Sequence, residues 1–197
     1  MKLIFASNNK HKIEEIRSLI GNKFEILTLK DAAINIDIAE PHDTIEANAS
    51  EKSRVIYELT GINCFSDDTS LEVDALGGEP GVKSARYAGG DHNFAKNVEK
   101  LLAKLGNTSD RQARFRAVIS LIVDGTETLF EGSCEGHIIF TPRGTEGFGY
   151  DPVFVPEGES RTFAEMGLEE KNRFNHRRKA LDKLVTFLQT LETKAEN

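Results

Sequence analysis

Apolar and polar positions along the chain switch between two periods. Leu3 to Ala6 is a short unbroken apolar run, the mark of a buried strand. It passes through Ser7-Asn8-Asn9 into a segment where Ile13, Ile16, Leu19 and Ile20 recur at helical spacing, with Gly21 as the stop. Phe24 to Leu29 predicts a second strand. A polar loop through Glu40-Pro41-His42 leads to Asp43, an N-cap with Glu46 three residues on, and a helix from there to about Leu59. Ile62 to Ser66 predicts another strand and Leu76 to Gly90 a glycine-rich loop. Phe94, Val98, Leu101, Leu102 and Leu105 mark a surface helix. Arg114 to Val123 alternates as a half-buried strand, and Asp124-Gly125 signals a hairpin with its return strand at Thr128 to Cys134. A further strand, His137 to Phe140, precedes a loop from Gly144 to Pro152, and a last helix covers Glu169 to Leu191 with a frayed tail. These elements predict an α/β fold with a mixed sheet, because the hairpin argues against a purely parallel, doubly wound one.

Two helical stripes carry charge where apolar residues belong. The last helix reads Lys171, Phe174, Arg177, Leu181, Leu184, Leu188, Leu191 along one side; the second reads Ile45, Ala49, Lys52, Ile56, Leu59. One such cation is explained by an aliphatic stem that covers apolar surface while its charged head reaches water. Three of them on two helices predict an anion, since an unpaired buried charge is costly.

Composition narrows what that anion is. The 197 residues are 39% apolar and 29% charged, as in an ordinary globular protein. No apolar run approaches the ~18–20 residues needed to span a bilayer, and Met1-Lys2 followed by four apolar residues is a poor secretory signal. A net charge of −7 leaves no broad basic surface for nucleic acid. Neither a membrane nor a nucleic-acid partner is expected, so an anionic ligand must be met by a few placed cations, with a metal helping. Cys64 and Cys134, each in an apolar strand-like stretch, predict two reduced, buried thiols in a cytoplasmic protein.

Four segments carry candidate chemistry. Asp67-Asp68 directly follows the strand ending at Ser66, and carboxyl ends of strands are where open α/β sheets bind ligands. With Glu40 they offer oxygen ligands to a hard cation such as Mg²⁺; an Asp-Asp pair is also common in turns and caps. The turn Ser7-Asn8-Asn9-Lys10-His11-Lys12 opens a helix, and its amides with Lys12 suit a phosphate. In Gly147-Phe148-Gly149-Tyr150-Asp151-Pro152 the glycines let backbone approach a flat ligand, Phe148 can stack on it and Asp151 can accept from a base edge; a tight turn with one buried ring is the plainer reading. His176-Arg177 supplies donors suited to ring carbonyl oxygens.

In order and spacing, these segments resemble the inosine triphosphate pyrophosphatase family, also called the Ham1 family. The likeness runs from Phe5-Ala6-Ser7-Asn8-Asn9-Lys10-His11-Lys12 through Thr44 to Ala49 with Lys52, Ser66-Asp67-Asp68-Thr69, Ala75 to Gly81, Ser84 to Gly89, Gly147 to Pro152 and Glu169-Glu170-Lys171 to His176-Arg177. The resemblance implies one chain-long domain over residues 1–197: an elongated mixed sheet flanked by helices, in two lobes with the active-site cleft between them. It implies a cytoplasmic homodimer that hydrolyses ITP, dITP and XTP to monophosphate and pyrophosphate with Mg²⁺. By position, Asp68 matches the general base, and Glu40, Asp67 and Asp68 the carboxylates around the metal. Ser7, Asn8, Asn9, Lys10, His11, Lys12, Lys52 and Thr69 match triphosphate contacts; Phe148, Gly149, Tyr150, Asp151, Lys171, His176 and Arg177 match the base pocket. Asn8, Ser70 and Asn175 depart from the family pattern, which has glycine at the first two and serine at the third. Two competing readings are a pyrophosphatase for modified pyrimidine nucleotides and a nucleotide sensor without catalysis.

Overall fold

The computed structural model describes residues 1–20, 24–90 and 93–195. Seven strands form one mixed sheet: β1 (Lys2–Phe5), β2 (Glu25–Thr28), β3 (Cys64–Val73), β4 (Pro80–Gly81), β5 (Gln112–Val123), β6 (Thr126–Ile138) and β7 (Phe154–Pro156). Their order is β2-β1-β3-β5-β6-β7, with β4 beside β3. β1 is parallel to both β2 and β3, whereas β4 on β3 and β7 on β6 are antiparallel. The helices are α1 (Lys10–Ile20), α2 (Ile45–Thr60), α3 (Phe94–Leu105), the single turn α4 (Leu168–Lys171) and α5 (His176–Ala195). This is the expected α/β class with a mixed sheet.

The chain divides into two compact units. The first comprises Met1–Asp68, Ala117–Gly132 and Arg177–Asn197; the second comprises Thr69–Arg116 and Ser133–His176. The polypeptide therefore passes from one to the other inside β3, β5 and β6. In the first unit Leu3 and Phe5 of β1, Phe65 of β3 and Ile119 of β5 share a core with Ile16 of α1 and Leu181, Leu184 and Leu188 of α5. A second cluster there includes Ile4, Ile56 and Cys64. The core of the second unit joins Leu71, Phe115 and Ile138 to Leu101 of α3 and to Phe154 and Phe163.

Local chemistry explains most boundaries. Thr44 caps α2, its hydroxyl accepting from Ala47 N, and Gly61 closes the helix in the left-handed region with its N–H on Tyr57 O. The cap is therefore one residue beyond the expected Asp43. Asp124 and Gly125 both take positive φ, as a two-residue hairpin turn requires. The expected stop at Gly21 lies outside the described residues, as does the end of the expected frayed tail.

Four expectations need correction. The Ile62–Ser66 strand runs on to Val73, so Asp67 and Asp68 lie within β3 and not beyond its end. Its polar residues are buried with ionic partners, which hides the strand from an apolar pattern. β6 is continuous where two strands were expected, because its outward residues obscure an inward row of Phe130, Gly132, Cys134, Gly136 and Ile138. β7 was not expected, and the 76–90 loop holds the short β4. The last helix is broken: α4 ends at Lys171 and α5 begins at His176, so the Lys171–Phe174–Arg177 stripe belongs to two elements.

Candidate active site

The first unit gathers charge around the parallel strands. After β1, Ser7 Oγ accepts from Asn9 N at 3.2 Å, and Asn9 Oδ1 accepts from Lys12 N at 3.2 Å. The turn is thereby set for the N-terminus of α1, and it places Lys12 one turn in. Lys12 Nζ stands 3.2 Å from Asp67 Oδ1 and 3.4 Å from the Asp67 carbonyl. Arg177 Nε donates to Asp67 Oδ2 at 3.0 Å, and its Nη1 donates to Glu15 of α1. Both carboxylates and the guanidinium are buried. On the neighbouring residue, Asp68 Oδ1 lies 3.4 Å from Lys52 Nζ, which also donates to Glu40 Oε1 at 2.7 Å. Asn8 Nδ2 holds the Ile36 carbonyl at 3.1 Å, and Lys10 and His11 stand exposed at the start of α1.

The two adjacent aspartates are driven apart electrostatically. Burial disfavours both carboxylates. At Asp67 the Lys12, Arg177 and Lys52 charges outweigh it and hold the group well below the usual carboxylate range. At Asp68 burial wins over Lys52 and Lys12, with Glu40 and Asp67 adding repulsion, and the group is raised. Burial also lowers the Lys12 ammonium despite Asp67. Lys52 is raised, because Asp68 and Glu40 more than offset its desolvation.

Glu40 and Asp68 converge on one cation, the Lys52 ammonium, and present hard oxygen donors; Asp67 is already held by Arg177 and Lys12. A divalent ion such as Mg²⁺ uses one or two carboxylates with phosphate oxygens, so the Glu40–Asp68 pair fits it. Among the described residues no group of three or more His, Cys, Asp or Glu forms a metal cluster. The expected trio is thus divided by partner: two carboxylates share Lys52, and the third is joined to Arg177.

The second unit organises a different kind of site. Asp151 Oδ2 accepts from Phe148 N at 3.0 Å and from Lys171 Nζ at 2.8 Å. The Lys171 ammonium lies 5.1 Å above the Phe148 ring and 5.4 Å above that of Phe163. Gly147 takes φ +71, and a Cβ there would collide with Asp151 Oδ2. Tyr150 OH donates to Ser84 O at 2.8 Å, which ties the loop down. His176 stacks on Phe115 with centroids 4.8 Å apart. Thr69, half-buried, is the first residue of this unit.

All three inward cations are buried as expected, and each meets a carboxylate of the chain: Lys52 with Glu40 and Asp68, Lys171 with Asp151, Arg177 with Asp67 and Glu15. The chain's own carboxylates thus supply the negative charge that the stripes predicted. His176 and Arg177, grouped together at the sequence level, belong to different units. Glu15, Asn48 and Phe115 were missed. Glu15 and Asn48 sit beside apolar stripe positions, and a buried polar residue there was the available signal. Of the departures, Ser70 lies in extended β3 and its hydroxyl donates to Glu72 at 3.0 Å, so no glycine is needed. Asn175 Nδ2 donates to Asn172 Oδ1 at 3.0 Å in the turn before α5.

Cations from α1, α2 and α5 paired with carboxylates of β3 and its surroundings thus mark the charged centre of an α/β protein. The sequence model of the Ham1 family matches residues 3–187, and the chain belongs to that family. It is 50% identical over 188 residues to the dITP/XTP pyrophosphatase of Flavobacterium johnsoniae, covering 95% of this chain and 98% of that protein. Identity is again 50% over 188 residues with the dITP/XTP pyrophosphatase of Porphyromonas gingivalis, covering 95% of this chain and 97% of that one. The Staphylococcus aureus Ham1 protein superposes with a TM-score of 0.88 at 38% identity, covering 96% of this chain and 99% of its own.

Proposed function

We propose that this chain hydrolyses purine nucleoside triphosphates bearing hypoxanthine or xanthine (ITP, dITP and XTP) to the monophosphate and pyrophosphate. The observation that carries the reading is the arrangement at Asp67 and Asp68: Lys12 and Arg177 hold the first at 3.2 and 3.0 Å, while the second stands with Glu40 about the Lys52 ammonium, so adjacent carboxylates face different surroundings. Family membership and whole-chain likeness to proteins named dITP/XTP pyrophosphatase support the substrate class.

The first unit handles the triphosphate. The α1 N-terminus and Lys12 meet phosphate oxygens, whose negative charge favours the ammonium form that burial disfavours. Glu40 and Asp68 would hold Mg²⁺, and the ion when bound would neutralise phosphate charge. Asp68 takes a proton from a water as the water oxygen attacks the α-phosphorus, and the bond from that phosphorus to the α,β-bridging oxygen breaks, so that pyrophosphate leaves. Asp67 stays ionised throughout, held by Arg177 and Lys12, and so does not compete for that proton. Arg177 enters through Asp67.

The second unit handles the base. Phe148 is the stacking platform, its backbone fixed by Asp151 and Lys171. Donors from Lys171 and His176 suit a 6-oxo purine and are left unpaired by the adenine amino group, a strong penalty in a buried site. The full reading includes a cytoplasmic homodimer, which sedimentation equilibrium tests for its assembly state. Pyrophosphate release from ITP, dITP, XTP, GTP and ATP, with and without Mg²⁺, tests the activity. Rapid Mg²⁺-dependent release from the first three is expected. Tight ITP binding without release would make the chain a sensor, and preference for modified pyrimidine nucleotides would overturn the substrate class.

A further inference from the structure

Asn48 lies on α2 one turn before Lys52 and is completely buried. Its amide spans the backbone of a single residue in the preceding loop: Oδ1 accepts from His42 N at 3.0 Å, and Nδ2 donates to His42 O at 3.2 Å. Two residues upstream the same loop carries Glu40, whose Oε1 meets Lys52 Nζ at 2.7 Å. α2 thus grips the loop through the His42 backbone and the Glu40 carboxylate, and Glu51 Oε2 also stands 3.6 Å from His42 Nε2 on the exposed side.

The first grip explains an otherwise unfavourable residue. Asparagine is a poor helix former, and a buried amide is costly unless paired. A carboxamide also presents a donor and an acceptor side by side, as a backbone N–H and C=O require. The second grip cannot hold the loop alone. Lys52 is shared with Asp68 at 3.4 Å, and a divalent cation would draw on the same Glu40 oxygen. Among the remaining tethers, the Asn48 pair comes from a buried side chain, whereas the His42–Glu51 contact and the Asn8 bond to Ile36 O lie at exposed positions.

We propose that Asn48 is a positioning residue that presets the 40–42 loop so that Glu40 faces a divalent cation beside Asp68. This rests on the reading of Glu40 as a cation ligand given above. The test is Mn²⁺ titration of the full chain with α,β-methylene-ITP, a non-hydrolysable analogue, followed by the electron paramagnetic resonance of free Mn²⁺. Asn48→Ala is expected to weaken Mn²⁺ binding about 10-fold, as loss of a ligand's support does. The Mg²⁺ concentration for half-maximal ITP hydrolysis should rise by the same factor, with kcat at saturating Mg²⁺ retained. In a Glu40→Gln background the same substitution should add nothing. Asn48→Ser, smaller but still polar, provides a second variant, and urea unfolding confirms that each is folded when titrated.

Unchanged Mn²⁺ affinity in a folded variant overturns the proposal, as does an equal loss in the Glu40→Gln background. Two variants that both unfold would assign Asn48 to holding the fold, and this too overturns it. If Glu40→Gln itself leaves Mn²⁺ binding intact, the ligand role of Glu40 fails and Asn48 falls with it. Absent pyrophosphate release by the unsubstituted chain is a separate result and bears on the activity alone.

Discussion

The two units both bury cations against carboxylates, but they connect them differently. In the first, partners are shared: Asp67 is met by both Lys12 and Arg177, while Lys52 is met by both Glu40 and Asp68. In the second, Lys171 and Asp151 form a compact pair whose carboxylate also fixes the Phe148 amide. Sharing makes each group's proton affinity depend on its neighbours, which separates Asp67 from Asp68 across one peptide bond. Pairing onto backbone instead fixes the shape of a turn. The first arrangement suits chemistry on a charged, changing ligand, and the second suits recognition of a rigid one.

The most severe way to break the contrast is Asp68→Asn. It removes the raised carboxylate and should lower pyrophosphate release from ITP by about 10³-fold or more, within the span expected for a general base, while equilibrium ITP binding persists. Normal turnover would refute the role. Next is Arg177→Ala, which leaves Glu15 and Asp67 buried without their shared guanidinium. A stability loss of about 3–5 kcal/mol is expected from breaking a buried ion pair, read from urea unfolding; a loss confined to base selectivity would return Arg177 to the base pocket.

A matched pair then sharpens the division of labour. Lys52→Ala should cut turnover of every triphosphate to a similar degree. Lys171→Met should instead narrow the ratio of kcat/KM for ITP over ATP, by about 10-fold, the scale on which binding contacts discriminate substrates. If both variants scaled all substrates equally, the two units would not divide phosphate from base. The mildest test is pH. Asp68 acts deprotonated and its proton affinity is raised, so kcat/KM should climb with pH through a value above the ordinary aspartate range. Asp67 behaves oppositely: its group is lowered on folding, so its stabilisation is complete above about pH 4, the usual unfolded value, and is lost as pH falls through the folded one. A urea midpoint that stayed flat on acidification would contradict that assignment.

Much of this was legible in the chain because the physics is local. The α2 stripe exposed Lys52 as inward, since an interrupted apolar face needs no tertiary knowledge to recognise; Lys171 and Arg177 are inward too, though from two elements and not the one helix expected. The phosphate-type turn at Ser7 to Lys12 and the glycine-flanked Phe148 also stand in contiguous sequence. What was hidden depends on partners distant along the chain. Asp67 and Asp68 look like a strand terminus until Lys12, Arg177 and Lys52 supply the charge that lets a strand carry buried aspartates. Arg177 looked like a base reader because its neighbour His176 was considered with it, whereas its bonds run to Glu15 and Asp67. Asn48 stands inside the family-like segment Thr44 to Ala49, but the sequence assigns it no role, because its bonds run to the backbone of His42.

The two units interleave along the polypeptide, changing over inside β3, β5 and β6 and again between His176 and Arg177. No single cut of the gene isolates either half, although Phe148, Asp151, Lys171 and His176 all fall in one stretch of the second unit, Ser133–His176. Apart from Arg177, the charged residues gathered by the first unit lie in another stretch, Met1–Asp68, so the two sets of side chains are encoded in separate parts of the message and can vary separately.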